Sequence, residues 1–287
     1  METQSIFWLK DTNPDVAPLG PSAFTLVDNR MFFTIKNDAG RYELWISDCT
    51  LNGTQLLKEI KDGSDISFLS DFTVSNTHLF FIIDNDTSGS TLWMSDGTTA
   101  GTRLLKDIEN GKRYFALYYF TVFNNQMFFQ TCNDTNDYEL WVSDGTPDGT
   151  QILKYSNTHF HHSDPYDFTV FNNQLFFLTN SNKNGYELWV SDGTSRGTRL
   201  LKSINLDSNS TVPYYFTVFH DHLYFTADNG INGQEIWISD GTSEGTQLLK
   251  IINEQDGSQL DGFTLFSNQS FCTAMTHRPS DFFVNYW

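Results

Sequence analysis

The sequence predicts an all-β fold, a six-bladed β-propeller of four-stranded antiparallel blades. Three observations predict it. Trp45, Trp93, Trp141, Trp189 and Trp237 stand 48 residues apart, as do Phe24, Phe72, Phe120, Phe168 and Phe216, and Asp48, Asp96, Asp144, Asp192 and Asp240. Within each 48-residue unit the apolar residues follow strand periods, and nothing sustains a 3.6-residue period. The two ends of the chain also carry complementary parts of one unit.

Each unit reads FTVFNNQLFF, a polar loop, YELWVSDGTxxGTxLLK and a variable connector. FTVF and the following LFF segment are rich in β-branched and aromatic residues and bounded by Asn, which makes them strands a and b. In ELWVS, Glu187, Trp189 and Ser191 alternate with Leu188 and Val190, the two-residue period of strand c. TRLLK supplies strand d. The FNNQ and SDGTxxGT segments are hairpin signals, since Asn and Gly accept positive φ and Asp bonds its own backbone. Four short strands joined by tight turns make an antiparallel meander, and such meanders stack radially as blades.

The ends fix the blade number. Residues 263–287 supply strands a, b and c, with Phe282 to Trp287 in the phase of YELWVS. Residues 6–10, IFWLK, lie 48 positions before the first TQLLK and therefore read as a strand d without its partners. The chain is then one domain, 1–287. Its full units are about 24–60, 72–108, 120–154, 168–204 and 216–252, and its closing blade is 263–287 plus 4–11. Closure of this kind removes exposed strand edges. A solenoid is the alternative, and the split unit speaks against it.

Charge limits the partners. Of 287 residues, 35 are acidic and 17 basic, a formal charge of −18. Nucleic-acid recognition needs a basic footprint, so no nucleic-acid partner is expected. Attraction to an anionic membrane surface is excluded on the same ground. No apolar run is long enough for a membrane-spanning helix, so no membrane insertion is expected. The N-terminus METQSIFWLKD has neither a basic start nor an apolar stretch, so the expectation is a cytoplasmic protein or export by a signal-independent route. Three cysteines, Cys49, Cys132 and Cys272, do not make a disulfide framework. A monomer is expected.

The segments ELWISDCT at 43–50, LWMSDGT at 92–98, ELWVSDGT at 139–146 and 187–194, and EIWISDGT at 235–242 resemble the bacterial ELWxxDGT repeat family. The resemblance covers essentially the whole chain. It implies a β-propeller-like repeat and no single reaction. Cys49 stands where the motif has Gly, Thr91 where it has Glu, and Asn285 at the Trp position of the sixth unit.

The most repeated residues read as architecture. Asp192 suits an Asx turn, Gly193 and Gly197 suit backbone angles that other residues avoid, and Thr194 and Thr198 suit local hydrogen bonds. The turn is similar to the Asp-box of sialidases, but a sialidase needs an arginine cluster and only seven arginines exist. Trp189 is expected near Arg199 and Trp93 near Arg103. This forms a Glu/Trp/Arg-or-Gln group that is similar to a lectin sugar site, but reads more simply as blade packing.

The variable d→a connectors are aromatic and polar. Tyr114, Phe115, Tyr118, Tyr119, Phe160, Tyr166, Tyr214 and Tyr215 are the candidate ligand-binding residues. They point to a non-catalytic propeller that binds a glycan or a protein through the face carrying the d→a and b→c loops. The alternative is a hydrolase or lyase whose carboxylates or histidines line the central funnel of that face, and a purely structural repeat module is a third reading. No cofactor is required. Ca²⁺ is weighed because Asp84, Asp86 and Ser88, and in part Asp228 and Asn232, place oxygen ligands at spaced positions before a glycine. His159, His161 and His162 form the one histidine cluster, a candidate for a transition metal. None of GxSxG, HExxH, a phosphate loop or CxxC occurs, and no catalytic residue is assigned.

Overall fold

The computed structural model of the chain describes residues 19–60, 67–85, 89–108, 117–132, 138–154, 165–181, 185–204, 214–228, 234–250, 259–266, 269–275 and 281–286. These residues form 23 strands in six antiparallel sheets, each ordered as the chain runs. The first sheet holds β1 (Leu19–Val27), β2 (Arg30–Lys36), β3 (Tyr42–Ser47) and β4 (Gln55–Glu59). The second holds β5 (Ser67–Ser75), β6 (His78–Asn85), β7 (Gly89–Ser95) and β8 (Arg103–Asp107). The third holds β9 (Leu117–Phe123), β10 (Gln126–Cys132), β11 (Tyr138–Ser143) and β12 (Gln151–Lys154). The fourth holds β13 (Tyr166–Phe171), β14 (Gln174–Ser181), β15 (Gly185–Ser191) and β16 (Arg199–Ser203). The fifth holds β17 (Tyr214–Phe219), β18 (His222–Asp228), β19 (Gln234–Ser239) and β20 (Gln247–Lys250). The sixth has three strands, β21 (Gln259–Phe266), β22 (Gln269–Met275) and β23 (Asp281–Tyr286). The 48-residue unit is thus a four-stranded antiparallel meander in five of the six sheets.

The chain divides into two compact units, Met1–Met127 with Ser143–Gln151, and Phe128–Val142 with Ile152–Trp287. In the first, β1 packs beside β5 and β5 beside β9, and the core gathers Val27, Phe32, Leu44, Ile46, Leu79 and Phe81. In the second, β13 packs beside β17 and β17 beside β21, around Phe176, Leu178, Leu188, Val190, Leu223 and Phe225. Within each unit, strand a of one sheet therefore neighbours strand a of the next. Each buried Phe contributes roughly 1.5–3 kcal/mol by leaving water. Both faces of the central strands are buried, which is why LFF and ELWV read as nearly continuous apolar runs.

Aromatic ladders cross the sheets. Phe33 stacks on Trp45, Phe81 on Trp93, Phe129 on Trp141, Phe177 on Trp189 and Phe225 on Trp237, with ring centroids 6.0–6.5 Å apart. The 48-residue Phe of strand a joins at the other side, as Phe72 does edge-on to Phe81 at 5.9 Å. The Trp indole N–H is satisfied locally. Trp45 donates to Glu43 at 2.8 Å, Trp141 to Glu139 at 3.1 Å and Trp189 to Glu187 at 3.4 Å. Where Thr91 replaces Glu, its hydroxyl takes the Trp93 N–H at 3.0 Å. Arg103 does not stack on Trp93 but donates to the Gly145 carbonyl at 3.1 Å, and the cation over the Trp93 ring is Lys58 at 4.8 Å.

The SDGTxxGT turn is a closed hydrogen-bond unit. Asp192 Oδ1 accepts from the Thr194 N–H at 2.9 Å and from its hydroxyl at 2.7 Å. Gly197 N–H donates to Thr194 Oγ1 at 3.0 Å, and the Thr198 hydroxyl donates to the Thr194 carbonyl at 2.7 Å. The same pattern recurs around Asp48, Asp96, Asp144 and Asp240. Hydrogen bonds from Thr194 hold the Asp192 carboxyl below its ordinary value, and Thr50 and Thr242 do the same for Asp48 and Asp240. The two glycines serve different ends. Gly193 sits at φ +94, as expected, but Gly197 is not in the left-handed region. A Cβ on Gly197 would fall inside the Asp192 carboxylate, so this glycine is required by close approach. Cys49 holds the Gly193 position at φ +68.

Candidate functional site

Strand a is not a regular ladder. Its pairing with strand b slips between Ser22 and Thr25, between Ser70 and Thr73, and between Tyr166 and Thr169. The slip is a β-bulge, and the extra residue adopts a left-handed angle without being glycine: Ala23 at φ 53, Asp71 at 53, Tyr119 at 58 and Asp167 at 58. Left-handed backbone costs a non-glycine residue about 1–2 kcal/mol. Such outliers recurring at one register are where function is sought.

In the first unit the bulge of β5 sets Ser70 and Asp71 beside the end of β6. Asp84 there accepts a hydrogen bond from Ser70 Oγ at 3.2 Å and another from Ser90 Oγ on β7. Burial pushes the Asp84 carboxyl up, the two serine hydroxyls pull it partly back, and repulsion from Asp71 adds to the rise. Asp71 itself is exposed. The result is a carboxylic acid that keeps its proton to a higher pH, next to an accessible carboxylate. In the second unit Asp167 occupies the same register. Its carboxylate accepts the Phe216 N–H at 3.5 Å, and burial pushes its carboxyl up against that bond.

The aromatic candidates separate. Tyr118 and Tyr119 are adjacent on β9, at the repeat positions of Ser70 and Asp71, 47% and 50% exposed, with ring centroids 6.2 Å apart. Tyr166, at the repeat position of Tyr118, is 8% exposed and belongs to the core of its unit, so it presents no open face. Tyr214 and Tyr215 lie on β17. Tyr114, Phe115 and Phe160 lie outside the described residues, as do Asp86, Ser88, Asn232 and the histidines His159, His161 and His162. Asp84, read as one of a set of Ca²⁺ ligands, spends both carboxylate oxygens on serine hydroxyls. Asp228 pairs with Gln234 across its hairpin. Among the described residues no group of three or more His, Cys, Asp and Glu side chains could hold a metal ion. Ser70, Asp71, Ser90 and Asp167 escaped the sequence reading. Asp71 and Asp167 stand just before the repeated Phe, at a position that varies while the Phe-Thr pair does not; Ser70 and Ser90 carry no such signal.

No protein-family model and no curated protein matches the sequence. Solved structures do match. One of two prolyl endopeptidases solved to relate inter-domain dynamics to catalysis and specificity aligns with TM-score 0.54 and 13% identity, over 93% of this chain and 41% of its own. Prolyl oligopeptidase B from Galerina marginata, bound to a 35mer hydrolysis and macrocyclization substrate, aligns with TM-score 0.54 and 12% identity, over 93% of this chain and 42% of its own. The β-propeller domain of the Trilobed protease from Pyrococcus furiosus aligns with TM-score 0.44 and 12% identity, over 92% of this chain and 81% of its own. The chain thus spans about two fifths of the length of the two peptidases aligned at TM-score 0.54. Identities this low establish the fold. The protein is an all-β repeat protein with β-propeller structural neighbours.

The expectation of a non-catalytic propeller that recognises a glycan or protein through its d→a and b→c loops is corrected here. The matched structures are peptidases, and the hydrolase alternative agrees with them better.

Proposed function

We propose that the chain works in hydrolysis, on peptides, with its site at the inner-strand bulge of the first unit. The observation that carries this reading is Asp84. It is a buried-side carboxyl with a raised pKa, anchored by Ser70 and Ser90, beside the exposed Asp71. A carboxyl that burial keeps protonated to a higher pH than an ordinary one suits a general acid, since proton donation is most effective when the donor's pKa lies near the working pH. The two serines fix its orientation. The likeness in fold to two peptidases supports peptides as the substrate class. The test is mass-spectrometric analysis of a mixed peptide pool incubated with the full chain and with Asp84→Asn. Cleavage products that disappear in the variant support the reading. A pool left intact by the unsubstituted protein, or cut equally by both, overturns it.

The finer architecture belongs to the same proposal. Six blades close as a ring when residues 4–11 add a fourth strand to β23. One observation supports this: among the described residues the sixth sheet alone has three strands. The repeated ELWxxDGT turn and its hydrogen-bond unit support membership of that repeat family.

A further inference from the structure

The bulge surface of the first unit has a chemical character of its own. The strands that form it, LGPSAFTLV, SFLSDFTVS and LYYFTVF, contain no lysine or arginine and one carboxylate, Asp71. The cations on the adjoining strand are engaged elsewhere. Arg30 donates to the Asp96 carbonyl at 2.9 Å, and Lys36 lies over the Tyr42 ring at 5.3 Å. Tyr119 sits at the same bulge register on β9 as Asp71 on β5, and these strands pack side by side. It is a bulky residue in the left-handed region with half its surface in water. Burial does not explain why so strained a position holds an exposed ring. Tyr118 adds a second exposed ring beside it.

We infer that the bulge surface of β1, β5 and β9 selects peptides bearing lysine or arginine, the cation against Asp71 and its aliphatic stem on Tyr118 and Tyr119. That the occupant is a peptide rests on the proposed hydrolase function. The sign of its charge rests on the surface itself. A carboxylate attracts the cation, the ring faces add a cation–π contribution, and the long stem of Lys or Arg covers the apolar part of the tyrosines. An acidic peptide meets the exposed Asp71 carboxylate and is repelled.

The test is fluorescence anisotropy with two labelled peptides of equal length, one with a central lysine and one with glutamine in its place. Each is titrated with the full chain, Asp71→Asn and Tyr119→Gly, with melting temperatures recorded for all three proteins. The unsubstituted protein should bind the lysine peptide about tenfold more tightly than the glutamine peptide, as one exposed ion pair and one cation–π contact provide. Asp71→Asn should cut that ratio to about threefold, the share that the cation–π contact keeps. Tyr119→Gly should raise the melting temperature, because it releases the left-handed strain, and yet weaken both peptides. A purely structural tyrosine gives no loss of binding. Equal affinity for the two peptides, or no binding of either, overturns the inference. Cleavage of the same peptides separates the two claims. Equal binding with cleavage leaves the hydrolase reading standing without the charge preference. A lysine preference in binding without any cleavage leaves the surface standing without the hydrolase.

Discussion

Gly197→Ala tests the turn that recurs five times in the chain. Gly197 lies outside the left-handed region, so alanine brings no backbone strain there. Its Cβ would instead occupy the space of the Asp192 carboxylate. The carboxylate must leave, and two hydrogen bonds from Thr194, at 2.9 and 2.7 Å, go with it. At about 1 kcal/mol net for each, the loss is about 2 kcal/mol. Asp192→Ala removes the same two bonds and should cost about the same. Once the carboxylate is gone, the three atoms nearest the added methyl are gone with it, so the double variant should also lose about 2 kcal/mol instead of about 4. In thermal unfolding each of the three variants should melt about 4–8 °C lower than the parent, from about 2–4 °C per kcal/mol in chains approaching this size. Gly193→Ala is the control. Its cost comes from φ +94 and not from Asp192, so it should add in full to Asp192→Ala. Additive losses for Gly197 and Asp192, or a silent Gly197→Ala, would refute the reasoning.

Other outcomes follow from the same physics. Cys49 is exposed and sits at φ +68 where its counterparts are glycine, so Cys49→Gly should raise the melting temperature by about 2–4 °C, for about 1 kcal/mol of released strain. For Asp167, burial lifts the folded pKa above the unfolded one, so the stability this group contributes is complete below the ordinary value of 3.8 and lost as pH rises through the folded value. Asp167→Asn keeps an acceptor for the Phe216 N–H without a charge to desolvate. It should melt higher than the parent at pH 7, with the difference closing as pH falls below 3.8. On the proposed closure, deleting residues 1–11 should lower the melting temperature sharply or cause aggregation; an unchanged melting curve would rule out closure by this segment.

Much of the architecture was legible because it repeats. The 48-residue Trp marks strand c, the Glu two positions earlier marks the same face, and in three sheets that Glu accepts the indole N–H. The turn glycines were legible as glycines, but not in their reasons. Positive φ at Gly193 and close approach at Gly197 both demand the missing side chain, and one sequence cannot separate the two causes. The bulge was hidden for the opposite reason. Its left-handed residues are Ala23, Asp71, Tyr119 and Asp167, none of which announces that backbone. Burial of the aromatic candidates was equally silent. Tyr118 and Tyr166 share residue type and repeat phase, yet one is half exposed and the other lies in a core. Asp84 was read as one of a spaced set of cation ligands. Its partners Ser70 and Ser90 sit 14 and 6 positions away, brought close only by pairing of β5, β6 and β7.

The pH dependence of peptide cleavage tests the functional claim most directly. Asp84 is proposed to act as an acid whose pKa burial has raised. The cleavage rate of the full chain should therefore fall as pH rises through that elevated value, and Asp84→Asn should remove both the activity and the descending limb. Cleavage that is flat across the acidic and neutral range, or a profile that Asp84→Asn leaves in place, would contradict it.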